Sequence, residues 1–260
     1  MVPSIRSVGM GRLCFALGFA VVGAIGLAAR DFVLTQQPVP KGIPWREGLA
    51  CLSGALLLLT GVGLLVPRAA RVSALVLTAF LFLWILLLQV PRVAAHPLVE
   101  LYWLGVGEDL SLATGAWIIY CTLTDADDSR KRIVRALFGL SLLPIGLSHL
   151  VYLQAAAQFI PTWFPMRVPL TAFTGVAHIA AGLAILFGIV PWLAATLEAV
   201  MEGLFTLIVW VTAVLIHPTN LQDWVNVLIS ATLSAAAWAI AKSYREAPWA
   251  LSERLPRPAA

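Results

Sequence analysis

Gln37-Pro-Val-Pro-Lys-Gly-Ile-Pro-Trp-Arg-Glu-Gly-Leu49 returns in the same chain as Gln158-Phe-Ile-Pro-Thr-Trp-Phe-Pro-Met-Arg-Val-Pro-Leu170, with Gln, two prolines, Arg and Leu in register. The two strings lie 121 residues apart. Without a gap, the same offset superposes Gly18 on Gly139, Gly54 on Gly175, Gly61 on Gly182, His96 on His217, Pro97 on Pro218, Trp103 on Trp224 and Trp117 on Trp238. Residues 13 to 121 and 134 to 242 share 22 identities over 109 positions, and matched His, Pro, Trp, Gln and Arg do not follow from apolar composition alone. The chain therefore reads as a tandem pair: a first half over 1–122, a charged linker over 123–134, a second half over 135–242 and a tail over 243–260.

The solvent for most of this chain is lipid. Of its 260 residues, 60% are hydrophobic and 12% charged, and the mean hydropathy is +0.91, which a water-soluble globule would not carry. Eight apolar runs are long enough for a bilayer: 12 to 30, 47 to 66, 71 to 90, 104 to 122, 135 to 153, 168 to 187, 192 to 215 and 222 to 241. The fourth is the weakest, because Glu108 and Asp109 sit near its start, and the repeat is the reason to keep it. The first run could be read as a cleaved leader, and the repeat again favours a retained helix. The fold class is thus all-α integral membrane, eight spans as two four-helix bundles. An even number of spans per half makes the copies parallel, related by an axis along the membrane normal.

Twelve of the seventeen basic residues, Arg6, Arg12, Arg68, Arg71, Arg130, Lys131, Arg132, Arg135, Lys242, Arg245, Arg254 and Arg257, fall in segments that share one side. The positive-inside rule puts that side, with both termini, in the cytoplasm of a bacterial inner membrane. The net charge of +4 is then a topology signal and not a nucleic-acid patch. Cys14, Cys51 and Cys121 form no C-x-x-C pair and read as packing residues. Two prolines per repeated string fix an extended path on the outer side, Arg46 and Arg167 sit at the membrane edge, and His96-Pro and His217-Pro end the third span of each half. Glycines seven apart, Gly54 with Gly61 and Gly175 with Gly182, mark a close helix contact.

The halves differ in their intramembrane ionisable residues, each of which is a functional hypothesis by default. His149, His178, Glu198 and Glu202 face Ala28, Leu57, Leu77 and Leu81 at the repeat offset, so the candidate site belongs to the second half. Counting helical rise from the outer boundary puts His178 and Glu202 about 15 and 20 Å deep, and separates His149 from His178 by roughly a turn and a half. Glu198 and Glu202, four apart, share a face. Three readings are open: a structural polar clamp, a lipophilic ligand such as a quinone held between His, Glu and aromatic residues (Phe205, Trp210, Trp163), and a proton or solute path. No phosphate loop, nucleophile pattern or metal-spaced Cys/His set is present, so no catalytic residue and no metal ligand is assigned.

Gly146-Leu-Ser-His149, Ile160-Pro-Thr-Trp-Phe-Pro165 and Gly175-Val-Ala-His178-Ile-Ala-Ala-Gly182 together resemble the DoxX family of small four-helix bacterial membrane proteins, here as a tandem pair. Family members usually carry Gly-x-x-Glu in the second helix; this chain has His178 in one copy and Leu57 in the other. The resemblance implies an accessory or ligand-binding membrane component without independent catalysis. Its partners would be the bilayer and another membrane or redox subunit, with a quinone-linked oxidoreductase subunit as the alternative.

Overall fold

The computed structural model describes residues 9–33 and 36–244; the ends of the first segment and of the tail, with Arg6, Arg245, Arg254 and Arg257, lie outside the described residues. Its helices are α1 (Met10–Ala29), α2 (Arg46–Leu65), α3 (Ala70–Trp84), a π-helical turn (Ile85–Gln89), α4 (Val90–Ala95), α5 (Glu100–Leu123), α6 (Asp128–Val151), α7 (Leu153–Ala157), α8 (Arg167–Phe187), α9 (Pro191–Phe205), a second π turn (Thr206–Trp210), α10 (Val211–Ile216) and α11 (Leu221–Ser243). No strand occurs among the described residues. Seven helices are long and apolar enough to cross a bilayer, those over Ala70–Ala95 and Pro191–Ile216 running straight through their π turns. Their outward faces carry large apolar side chains such as Leu59, Leu86, Phe173, Leu207 and Leu215, as lipid contact requires. The protein is therefore an all-α, multi-pass membrane protein. α5 is the long helix outside this set of seven. It carries Glu100, Glu108 and Asp109, and packs against α3, α6 and α11 so that half its length is buried.

Several local features recur at the repeat offset. Both π turns, and the helical pieces that follow them, begin and end 121 residues apart. Trp45 and Met166, the residues before α2 and α8, both take a left-handed backbone, with φ of 59° and 53°. The indole N–H of Trp103 donates to the Pro97 carbonyl at 2.9 Å, and that of Trp224 to the Pro218 carbonyl at 3.0 Å. His96 and His217 cap the ends of α4 and α10 and are exposed there, as the His-Pro pairs led one to expect. Arg167 donates to the Ile160 carbonyl at 3.5 Å, while Arg46 pairs with Asp31.

The helices do not form two bundles that each close on themselves. α1 packs on α2, α2 on α3 and α3 on α5; α6 packs on α8, α8 on α9 and α9 on α11. α5 then packs on α6, α11 on α1, and α5 on α11, whereas α6 barely touches α11. The last helix of each half thus completes the other half. Two apolar cores result: Phe15, Phe19, Leu57, Leu77, Leu81 and Leu112 share one with residues of α11, and Phe138, Leu142, Ile185, Ala195 and Ile240 share the other with Ile118 and Cys121 of α5. Cys121 is buried as expected, but Cys14 faces outward and Cys51 is half-buried.

The start of α6 lies against the end of α11. Arg135 donates to the Ser243 carbonyl, pairs with Asp128 at 3.1 Å and lies over the Tyr244 ring at 4.2 Å; burial pushes the Tyr244 phenol up to about 12. Asp127 caps α6 by accepting the Arg130 N–H at 2.9 Å, which holds its carboxyl below the usual range.

Glycine makes the closest helix contacts. A Cβ at Gly54 would lie 2.9 Å from the Gly23 carbonyl oxygen, and one at Gly146 would lie 2.5 Å from the Gly175 carbonyl oxygen, in both cases against rigid backbone. Gly146→Val should therefore separate α6 from α8 and cost about 1–3 kcal/mol. A lowered thermal midpoint in detergent is the expected result, and an unchanged midpoint would show the contact to be soft.

Candidate functional site

The four residues singled out in the second half come together. α8 carries His178 and α9, which follows after a short turn through Gly188 and Val190 (φ 70° and 43°), carries Glu198 and Glu202 one helical turn apart. His178 is 0% exposed, Glu198 2% and Glu202 7%. The Nδ1 of His178 lies 2.8 Å from Glu198 Oε1, an N–H···carboxylate geometry in which the ring nitrogen donates. Neither His178 Nε2 nor Glu198 Oε2 has a hydrogen-bond partner. One ligating atom from each of His178, Glu198 and Glu202 can be chosen so that all three lie within 4.8 Å of one another.

His149 reaches this cluster from α6. Counting helical rise separates its ring from that of His178 by more than a turn, yet the centroids are 5.2 Å apart. The reason is the glycine contact: a Cβ at Gly175 would stand 2.9 Å from His149 Cβ and one at Gly146 would stand 3.0 Å from His178 Cβ, so each imidazole leans over the other helix's glycine. Phe205 stacks on His149 with centroids 6.0 Å apart and planes at 15°. Because His149 Nδ1 lies 2.8 Å from the Ile145 carbonyl, which can only accept, Nδ1 carries the proton and Nε2 of the neutral ring is an acceptor.

Beside the cluster lies a cavity of about 660 Å³, of a size typical for small-molecule sites. Its walls are largely apolar, with Leu104, Ile145, Phe159, Ile160, Val209 and Leu233. Its polar groups include His149, Glu202, Tyr152 and Ser230. Phe205 and Trp210 line it as expected, but Trp163 does not: it is exposed against Phe164 in the loop before α8, and Phe159 takes the place expected for it. The second π turn contributes Val209 and Trp210 to the wall, and its first residue, Thr206, donates to the Glu202 carbonyl at 3.0 Å, with Ser230 Oγ 2.9 Å from the same hydroxyl.

The site is not confined to the second half, contrary to the expectation drawn from the repeat offset. Gln36 and Glu108 of the first half also line the cavity, Gln36 donating to Glu108 Oε2 at 3.3 Å. Behind Glu108, Asp109 Oδ2 accepts from Gln89 Nε2 at 2.8 Å, and Gln89 Oε1 accepts from Arg92 at 3.1 Å. Gln89 and Asp109 are both fully buried. In sequence, Glu108 and Asp109 registered only as a blemish in the fourth apolar run. Polar Gln89, Glu108 and Asp109 inside apolar runs were the available signal, but at the offset Glu108, Asp109, Gln36 and Gln89 face Ile229, Ser230, Ala157 and Trp210, so comparing the halves hid them.

Comparison with known protein families, with curated proteins and with solved structures finds no match to this chain.

Proposed function

We propose that this protein is a DoxX-like membrane component, a tandem duplication of eight spans with α5 as the eighth, that holds a lipophilic small molecule with a polar head in the cavity between its halves. One observation carries the functional part. The positions equivalent to His178, Glu198 and Glu202 are Leu57, Leu77 and Leu81, each fully buried in an apolar core. The same arrangement of helices is therefore packed with leucine alone in one half, and a polar clamp is not what the architecture needs. Intramembrane ionisable groups retained without a packing reason point to a ligand.

The chemistry of the walls narrows the ligand class. An apolar tail lies against Leu104, Phe159 and Val209, while a head with hydrogen-bonding oxygens meets Glu202, Glu108 and His149 Nε2. A quinone has this division, with its ring flat against the Phe205–His149 stack. The matched helix contacts and recurrent π turns support the duplication, and the basic residues support cytoplasmic termini in a bacterial inner membrane. The role is binding within a membrane assembly, with a redox partner subunit as the natural recipient.

The test is equilibrium binding of a short-chain quinone to purified protein in detergent. Saturable binding is expected, with Ala156→Trp, which fills the cavity from α7, weakening it at least tenfold, about 1.4 kcal/mol. Non-saturable uptake that is indifferent to the Trp would sink the proposal. If instead Glu202→Gln abolishes a proton-coupled flux in vesicles while quinone binding is absent, the cavity is a solute path.

A further inference from the structure

We infer that His178, Glu198 and Glu202 form a binding site for one divalent first-row transition cation of the zinc, manganese or ferrous class. The inference starts from charge. Glu198 and Glu202 are adjacent carboxyl groups inside the membrane-spanning region, and among the described residues neither forms an ion pair with Lys or Arg; the sole ion-pair partner is the His178 imidazole. Two buried carboxyl groups against one imidazole can both ionise only at a high cost in a medium of low dielectric. A dication removes it.

Geometry agrees. Each of the three residues offers a ligand atom, all within 4.8 Å of one another. Ligand atoms bonded to one such cation at roughly 2.0–2.2 Å stand about 3–4 Å apart, so the site closes on an ion with side-chain rotations only. Two atoms of the cluster, His178 Nε2 and Glu198 Oε2, are buried with nothing bonded to them. Buried polar atoms without a partner are unexpected in a finished core, and an ion held by His178 Nδ1 and the Glu198 carboxylate would take the place of the proton they share at 2.8 Å. The sequence shows no metal spacing because the ligands are twenty and four residues apart, joined only by the α8–α9 hairpin.

The donor set selects the class of ion. One imidazole nitrogen with carboxylate oxygens suits zinc, manganese or ferrous iron, whereas magnesium and calcium prefer all-oxygen surroundings. Glu202 belongs both to the cluster and to the cavity wall, so the ion has a path in, and three protein ligands leave a coordination position open towards the cavity. The head of a ligand in the cavity would meet that open position. The metal site itself stands without the ligand.

Elemental analysis of purified protein decides the matter. Full-length protein stripped with a chelator and then dialysed against Zn²⁺, and separately Mn²⁺, is expected to retain one ion per chain. Glu202→Gln and Glu198→Gln should each weaken retention at least tenfold. The triple variant His178→Leu, Glu198→Leu, Glu202→Leu, which copies the first half's own packing, should retain none. Co²⁺ offers a second readout, a visible absorption band present in wild type and absent in Glu202→Gln. Equal metal retention by wild type and Glu202→Gln, or none in either, overturns the inference. Because no lipophile is present, metal retention without quinone binding keeps this site and removes the cavity reading, and the reverse outcome does the opposite.

Discussion

His178→Leu is expected to destabilise the protein by about 3–5 kcal/mol, and adding Glu198→Leu and Glu202→Leu to restore most of that loss. Taken alone, the substitution removes the 2.8 Å partner of Glu198 and leaves two buried carboxyl groups with no imidazole bonded to either. Removing one member of a buried polar set costs more than removing all of it, because the orphaned groups keep their desolvation penalty. Ordinarily the triple variant would risk a misfit, but the chain contains its own precedent in Leu57, Leu77 and Leu81, all with no exposed surface. Denaturant unfolding in mixed micelles, with metal-stripped protein, measures both variants. A single variant as stable as wild type would mean that the carboxyl groups need no partner. A triple variant less stable than the single would mean that the two halves are not packed alike at this level, and would remove the main support for a functional reading of the cluster.

The contrast between halves was readable from residue identities, because an apolar and a polar residue at equivalent positions differ regardless of structure. The multi-pass helical character, the glycine contacts and the exposed His-Pro ends were readable for the same reason: each depends on local chemistry. Three things were not. The π turns at Ile85–Gln89 and Thr206–Trp210 are written in apolar residues that suit an α-helix equally well. The approach of His149 to His178 depends on which glycine lies opposite each ring, which linear depth does not report. The pairing of α5 with α6 and of α11 with α1 is a long-range choice between two ways of closing a bundle, and both bury similar apolar faces. That last choice is what brings Glu108 of the first half to the same cavity as Glu202 of the second.

The network behind Glu108 supplies the other large effect. Gln89→Leu keeps the side chain's bulk, in a space already opened by Gly105, where a Cβ would stand 2.7 Å from Gln89 Oε1. It removes the amide that donates to Asp109 Oδ2 at 2.8 Å and the oxygen that accepts from Arg92 at 3.1 Å. Asp109, fully buried and with Oδ1 already unpartnered, then has no hydrogen bond to either oxygen among the described residues. A loss on the order of 3 kcal/mol is expected. Replacing both residues, Gln89→Leu with Asp109→Leu, should recover most of it, since two apolar groups leave nothing unsatisfied. Gln89 Nε2 also approaches the Gln36 carbonyl at 3.5 Å, and Gln36 holds Glu108 at the cavity wall. The double variant should therefore regain stability while still binding a quinone more weakly than wild type. Recovery of both properties would separate this network from the cavity, and recovery of neither would show Asp109 to be held by something other than Gln89.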